Sequence, residues 1–328
     1  FGQKRFGKRK LKRSAPAPAS LLKIWQRMKK DDYHEPVLVQ EVIEALAPLQ
    51  QARIIDATLG TAGHTLELVK AGAQVLGIDL DREMLAVAGK RLVVACPTPN
   101  QNGLGSYKLT HGNFRGIDVI ASREDFREVD GILFDLGVSN LQLLGQKRGF
   151  SFGYPEDALD MRIDPNSQAV MASDLLNGLR ADQLTVLFSK VLTPSQSRFL
   201  AKRVIEQRER NPFETVEDFL RMAKRVRTKK DLNPATLPFL ALRMAVNSDL
   251  ENLNEALPKA LTCLKKGGKL LVVTFHSGEE KIVLDFYREA DREGSGKILT
   301  FVPIRPGENE ISKNPRARSA ELWVLQKI

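Results

Sequence analysis

Residues 53–79 constrain the fold more than any other stretch. Arg53-Ile54-Ile55-Asp56 reads as a short strand, 57–62 as a turn, and Gly63-His64 as the opening of a helix. A second apolar strand, Ala73 to Asp79, follows and ends in an acid. This order builds half of an open parallel sheet, with a ligand crevice outside the carboxyl ends of its strands. Gly60 and Gly63 would let the backbone approach a ligand, and the helix opening near Gly63 offers free N–H groups to a carboxylate. Asp79 stands where an acid takes both ribose hydroxyls of an adenosine. The spacing Asp56-x3-Gly60-x2-Gly63 is not the G-x-G-x-x-G of a dinucleotide site, which disfavours a nicotinamide oxidoreductase. An acid inside the first turn suits S-adenosylmethionine, whose ammonium pairs with a carboxylate and which has no diphosphate to cradle. Plainer readings stand beside these: Asp56 as a strand-end cap, Gly63 as a packing glycine, His64 as a polar residue of the helix's first turn.

The rest of the chain extends the same alternation. An amphipathic helix spans 39–46, helical periodicity runs from Asp81 to Leu92, and a third strand covers 106–110. It leads into Asn113-Phe114, where an aromatic either stacks on adenine or simply fills the core. A fourth strand, Val129 to Phe134, runs into Asp135, at the centre of the expected crevice. From Pro155 to Leu240 the pattern is helical and punctuated by prolines, and no strand is expected there. A helix over 241–264, stopped by Lys266-Gly267-Gly268, then precedes a strand over 269–275. A helix over 279–292 and strands over 298–303 and 320–326 complete the chain. The expected architecture is α/β: a doubly wound, Rossmann-like sheet over 31–154 and 241–328, with a helical subdomain inserted at 155–240.

Charge is unevenly placed. Residues 1–30 hold eleven Lys/Arg and no acid, so the formal net charge of +10 resides in this arm and the other 298 residues sum to −1. The arm reads as an electrostatic tether for RNA phosphates, a solvated tail or an organellar transit sequence. A second basic cluster, Arg198 to Lys230, carries eleven basic and five acidic residues within the helical insert. Lys202, Arg203 and Arg225 are its candidates for phosphate contacts, with Arg316 and Arg318 near the C-terminus. Two well-separated cysteines, Cys96 and Cys263, suggest a reducing compartment, here the cytoplasm. The four histidines have no zinc-like spacing, and no apolar run reaches membrane-spanning length, so neither a metal nor a membrane is expected.

Specific motifs run through the chain in order. They include His34-Glu-Pro-Val-Leu38, Asp130-Gly-Ile-Leu-Phe-Asp135-Leu-Gly-Val-Ser139-Asn-Leu-Gln142, and Arg148-Gly-Phe-Ser-Phe152. Leu159-Asp-Met-Arg162, Leu242-Arg-Met-Ala-Val-Asn247, Phe275-His-Ser277 and Asn314-Pro-Arg-Ala-Arg-Ser319 follow. From residue 34 onward the chain resembles the bacterial 16S rRNA (cytosine-N4)-methyltransferase family (RsmH/MraW). The resemblance implies S-adenosylmethionine-dependent methylation of a decoding-region cytidine, on naked small-subunit rRNA or on the assembled small ribosomal subunit. It implies cofactor contacts at Ala62-Gly63-His64, Asp79, Phe114, Asp135 and Gln142. Cytosine's exocyclic nitrogen is a poor nucleophile and needs N–H acceptors, for which Asp135 and Ser139 are candidates. His276 lines the pocket, relays the released proton, or has a structural hydrogen-bonding role. The family's Gly-Gly-His is Ala62-Gly63-His64 here, harmless if Ala62 has a negative φ and costly if positive. A non-catalytic ribosome-assembly factor with the same fold is the alternative.

Overall fold

Alternate residues of the central strands point to opposite faces, and that period of two divides the apolar side chains into two cores. The structure, a computed structural model, describes residues 36–96, 104–137, 148–226 and 233–328. Its first half alternates helix and strand: α1 (Val39–Leu46), β1 (Arg53–Asp56), α2 (Gly63–Lys70), β2 (Gln74–Asp79), α3 (Arg82–Ala95), β3 (Ser106–His111), α4 (Ile117–Arg123) and β4 (Val129–Asp135). Among the described residues, five helices follow: α5 (Ala172–Gly178), α6 (Ala181–Ser189), α7 (Pro194–Arg208), α8 (Val216–Ala223) and α9 (Thr236–Asn247). The chain then returns to the sheet through α10 (Asp249–Cys263), β5 (Leu264–Thr274), α11 (Ser277–Arg292), β6 (Gly296–Ile298), α12 (Glu308–Lys313) and β7 (Glu321–Lys327).

The seven strands lie in the order β3-β2-β1-β4-β5-β7-β6. β1 to β5 are mutually parallel, and β7 runs antiparallel to both β5 and β6. Ile54, Val75, Leu133, Leu271 and Val273 face one core with residues of α1, α2 and α3. Ile55, Leu76, Phe134, Leu270 and Val272 face the other with residues of α4, α10 and α11. A third core, from Phe150 to Leu242, is built by α5 to α9. Strand order reverses between β1 and β4, and there the crevice opens.

Three elements differ from the sequence reading, each for a physical reason. The helix expected over 241–264 is two helices, broken at Ser248, which adopts a left-handed φ of 53°. The break lets Asn247 aim its side chain at the 161–168 segment, while Asn252 Nδ2 donates to the Asn247 carbonyl at 2.8 Å. Gly267-Gly268 lies inside β5 rather than stopping a helix. The register against β4 shifts there, and a Cβ on Gly268 would stand 2.9 Å from the Val129 carbonyl oxygen. The strand expected over 298–303 ends at Ile298 because Thr300 Oγ1, not a main-chain carbonyl, accepts from Val324 N (2.8 Å).

Candidate active site

The turn after β1 is pinned to the tip of β2. Gly60 N donates to Asp79 Oδ2 at 2.7 Å, Asp81 N donates to Asp79 Oδ1 at 2.8 Å, and Leu59 N donates to the Ile78 carbonyl at 2.9 Å. Gly60 has φ 52°, a left-handed value, and an added Cβ would meet nothing nearer than the Thr58 carbonyl oxygen at 4.0 Å. Its missing side chain therefore leaves open space at the cleft wall. Burial pushes Asp79 up to about 7, against the backbone N–H bonds that favour its anion.

β4 supplies the centre. The Asp135 amide donates to Thr58 Oγ1 at 2.6 Å, tying the β4 tip to the β1 turn. Asp135 Oδ1 accepts from Gly137 N at 3.1 Å. A Cβ on Gly137 would stand 3.0 Å from both the Phe275 ring and Asp135 Oδ1, so a side chain there would have to push one of them back by a few tenths of an ångström. Phe114 meets Phe134 edge to face, with centroids 5.5 Å apart and planes at 88°, which leaves Phe114 half in the core and half in the cleft. Asp79, Asn113, Phe114, Asp135 and Gly137 line one cleft that opens to solvent.

The far wall comes from helices distant in sequence: Arg243 and Asn247 on α9, Asp249 and Asn252 on α10, and Glu279 on α11. Sequence reasoning did not select these residues. The Leu242–Asn247 motif was their one signal, and it says nothing of which side chains face a cleft. Arg243 Nε lies 3.3 Å from Asp249 Oδ2. Burial pushes Asp249 up to about 6, against the pull of Arg243.

Other expected site residues sit behind the cleft or away from it. Asp56 is buried. Thr65 Oγ1 donates to its Oδ2 at 2.6 Å and Thr58 N to its Oδ1 at 3.3 Å, so it caps its own turn. Burial raises its pKa, and the Thr65 hydroxyl counters. A Cβ on Gly63 would stand 2.8 Å from Pro36 Cβ, so this glycine admits a proline ring rather than a ligand. Ala62, His64, Asp56 and Gly63 are not part of the cleft wall. His276 caps α11: its Nδ1 accepts from Gly278 N at 3.1 Å and Glu279 N at 3.3 Å. Its Nε2 is 3.0 Å from Glu279 Oε1, and it is Glu279 that reaches the cleft. Ser139 and Gln142 lie outside the described residues, as do the N-terminal arm and the side chain of Arg316.

Ala62 has φ 62° and ψ 37°, the conformation in which alanine is strained. A left-handed non-glycine residue costs about 1–2 kcal/mol, and burying its methyl returns about 0.8 kcal/mol. Glycine would also lose more backbone entropy, by about 0.5–1 kcal/mol. These terms nearly cancel. The turn keeps its ladder, with Ala62 N donating to the Leu59 carbonyl at 2.8 Å.

On the insert, Lys202 and Arg225 are exposed, and Arg203 pairs with Glu206 at 2.8 Å. Arg208, counted in the basic cluster, instead donates to the Leu176 and Leu179 carbonyls at 3.0 and 2.6 Å, closing the end of α5. Arg318 is exposed near the C-terminus. Among the described residues no helix is long and apolar enough to cross a membrane.

Known proteins are similar in sequence to this chain. The MraW methylase family matches residues 31–328. A protein of Coprothermobacter proteolyticus named ribosomal RNA small subunit methyltransferase H is 35% identical over 297 residues, covering 90% of this chain and 96% of the relative. Proteins of the same name from Thermomicrobium roseum and Methylacidiphilum infernorum are each 37% identical, covering 90% of this chain and 94% of theirs. A match that spans both sheet halves and the helices between them, with such relatives along nine-tenths of the chain, makes this chain a member of the MraW methylase family.

Proposed function

We propose that the chain transfers a methyl group from S-adenosyl-L-methionine to N4 of a cytidine in the decoding region of 16S rRNA, in the cytoplasm. The observation that carries this reading is Asp135, fixed at the β4 tip in the same cleft as Asp79 and Phe114. The residues fit an adenosyl group. Each Asp79 oxygen accepts one backbone N–H and keeps a lone pair for a ribose hydroxyl. Phe114 offers a ring to adenine, and the open space at Gly60 admits the ligand against the main chain.

When bound, the cofactor supplies an electrophilic sulfonium methyl. The chain's own task is to position the target amine and accept its N–H groups, with Asp135 as the principal acceptor and Ser139 as a second. The polar far wall of Arg243, Asp249 and Glu279 receives the base, which leaves its stack to enter. Cofactor affinity separates this reading from a non-catalytic assembly factor, which would bind S-adenosylmethionine poorly. Methyl transfer from labelled S-adenosylmethionine to small subunits lacking the modification tests the assignment. Label recovered elsewhere than N4-methylcytidine would sink it.

Asp79 gives the cofactor affinity a pH dependence. Ribose hydroxyls donate to a carboxylate, so the anion binds and the neutral acid does not. With the group at about 7 in the free protein, affinity at pH 6 should be roughly eightfold weaker than at pH 7.5. The raised value also means that Asp79's contribution to the stability of the free fold is lost as pH rises through about 7. Stabilisation by the cofactor should therefore grow with pH. Calorimetric titration of wild type and Asp79→Asn checks this: the variant should bind weakly with a flat profile, and a flat wild-type profile would refute the role.

Substrate RNA is assigned to the basic face of the insert (155–240), with Lys202, Arg203 and Arg225, and to Arg316 and Arg318; the substrate is small-subunit rRNA or the assembled subunit. Lys202→Glu with Arg225→Glu should weaken RNA binding and flatten its salt dependence by about 1–2 units of log K against log salt. Cofactor affinity should be unchanged. An unaltered slope would remove this face from the RNA interface.

A further inference from the structure

The turn between β2 and α3 is held from outside the sheet. Asp81 Oδ1 accepts from Glu83 N at 2.9 Å and so caps α3, while the Asp81 amide donates to Asp79 Oδ1 at 2.8 Å. The other oxygen, Oδ2, accepts from Arg148 Nη2 at 2.8 Å. Asp81 is 2% exposed and the Arg148 side chain 12%, so water screens the pair little. Arg148 Nη1 donates to the Arg162 and Ile163 carbonyls at 2.9 and 2.5 Å. Ile163 lines the cleft, and its own amide donates to Asn247 Oδ1 at 3.0 Å. One guanidinium therefore ties the tip of β2 to a segment of the insert that also lines the cleft. A second tie runs beside it: His111 Nε2 donates to the Leu80 carbonyl at 2.9 Å and lies 3.3 Å from Asp164 Oδ2. Both terminal nitrogens of Arg148 are spent on these bonds, which removes it from the candidates for RNA phosphate contacts.

We propose that Arg148 is the positioning residue for Asp79, through which the helical insert holds the cofactor's ribose site in register. This rests on the reading of Asp79 above as the acid that takes the ribose hydroxyls. One carboxylate meets two neighbouring hydroxyls only when both of its oxygens are aimed, and the Asp81 amide aims Oδ1. Arg148 fixes that amide by gripping the Asp81 side chain from the insert. It also acts through charge. Burial is the main force against the Asp79 anion, and the Asp81 carboxylate adds to it. A guanidinium on Asp81 offsets that second force. Without Arg148 the buried Asp81 carboxylate loses its cation and two carbonyls of the insert lose their donor, so the 79–81 turn relaxes.

Two ligands separate this role from a merely structural one: S-adenosylhomocysteine and its 2′,3′-dideoxy analogue, which lacks the hydroxyls that Asp79 would take. Calorimetric titration of both should be run on wild type, Arg148→Gln and Arg148→Lys, with thermal midpoints alongside. Wild type should prefer the hydroxylated ligand by about 100-fold, as for hydrogen bonds to a charged group. In Arg148→Gln that preference should fall to about tenfold or less, while affinity for the dideoxy analogue changes by less than about threefold. Lysine keeps a cation against Asp81 but has no fork for the two carbonyls, so its preference should also fall, by about threefold or more. General loosening of the fold would weaken both ligands alike and leave the preference untouched. An unchanged preference in either variant overturns the proposal, so the test stands even if the glutamine variant does not fold. A wild type that binds both ligands equally would instead overturn the reading of Asp79 beneath it.

Discussion

Replacing Asp135 by alanine should lower single-turnover methyl transfer by about 10²–10³-fold, the cost of removing one preorganised acceptor aimed at developing charge. The amine lone pair is delocalised into the cytosine ring, and an N–H acceptor draws density back onto nitrogen as the new bond forms. Asp135 is the carboxylate at the β4 tip and in the cleft wall, and its amide bond to Thr58 Oγ1 does not depend on the side chain. The fold should survive, since the change removes an acceptor from Gly137 N near solvent rather than apolar packing. Asp135→Asn tests the same point with shape conserved: it keeps an oxygen for Gly137 N and replaces the anion with an amide. Both variants should lose rate, with asparagine retaining the better cofactor affinity. A rate loss below tenfold in alanine would place the chemistry elsewhere in the cleft.

Much of this site was legible in the sequence because it rests on local rules. Ile54-Ile55, Val75-Leu76 and Ile132-Leu133-Phe134 announce strands buried on both faces, and acids at their carboxyl ends follow the crevice rule. Asp79, Phe114 and Asp135 accordingly line the cleft. The opening of α2 is ambiguous for a related reason. A glycine beside a turn signals close approach, but the pattern does not say whether a ligand or Pro36 approaches. The far wall was illegible because Arg243, Asp249 and Glu279 are polar positions in amphipathic helices, indistinguishable by periodicity from solvent-facing ones. The break at Ser248 separates the helix of Arg243 from that of Asp249, and a serine with positive φ carries no turn signature.

That break hangs on Asn247, and its replacement by leucine should be the most destabilising single change outside the apolar cores. The side chain is 4% exposed and uses all four of its hydrogen-bonding positions. Nδ2 donates to the Met161 carbonyl at 2.9 Å and the Arg243 carbonyl at 2.8 Å. Oδ1 accepts from Ile163 N at 3.0 Å and Gln168 Nε2 at 2.9 Å. Leucine is close in size, so the loss is polar: each stranded buried partner costs about 1–3 kcal/mol. Partial rewetting and non-additivity bring the total to about 3–4 kcal/mol, by the usual behaviour of shared networks. At about 2.1 cal/mol/K of unfolding entropy per residue, a chain of 328 residues shifts by about 1.5 °C per kcal/mol, so the midpoint should fall by roughly 4–6 °C. Gln168→Ala removes a donor to Asn247 Oδ1 and to the Val246 carbonyl and the acceptor of Asp164 N, and should cost about 1–3 kcal/mol. Asn247→Asp should also be severe, because it turns oxygen toward two carbonyls. The damage should reach catalysis as well, since Ile163, whose amide Asn247 holds, lines the cleft. Thermal midpoints of the three variants decide the matter. A leucine shift below 2 °C would mean that the 161–168 segment is held by its other contacts, of which Arg148 to the Arg162 and Ile163 carbonyls would then be the principal ones.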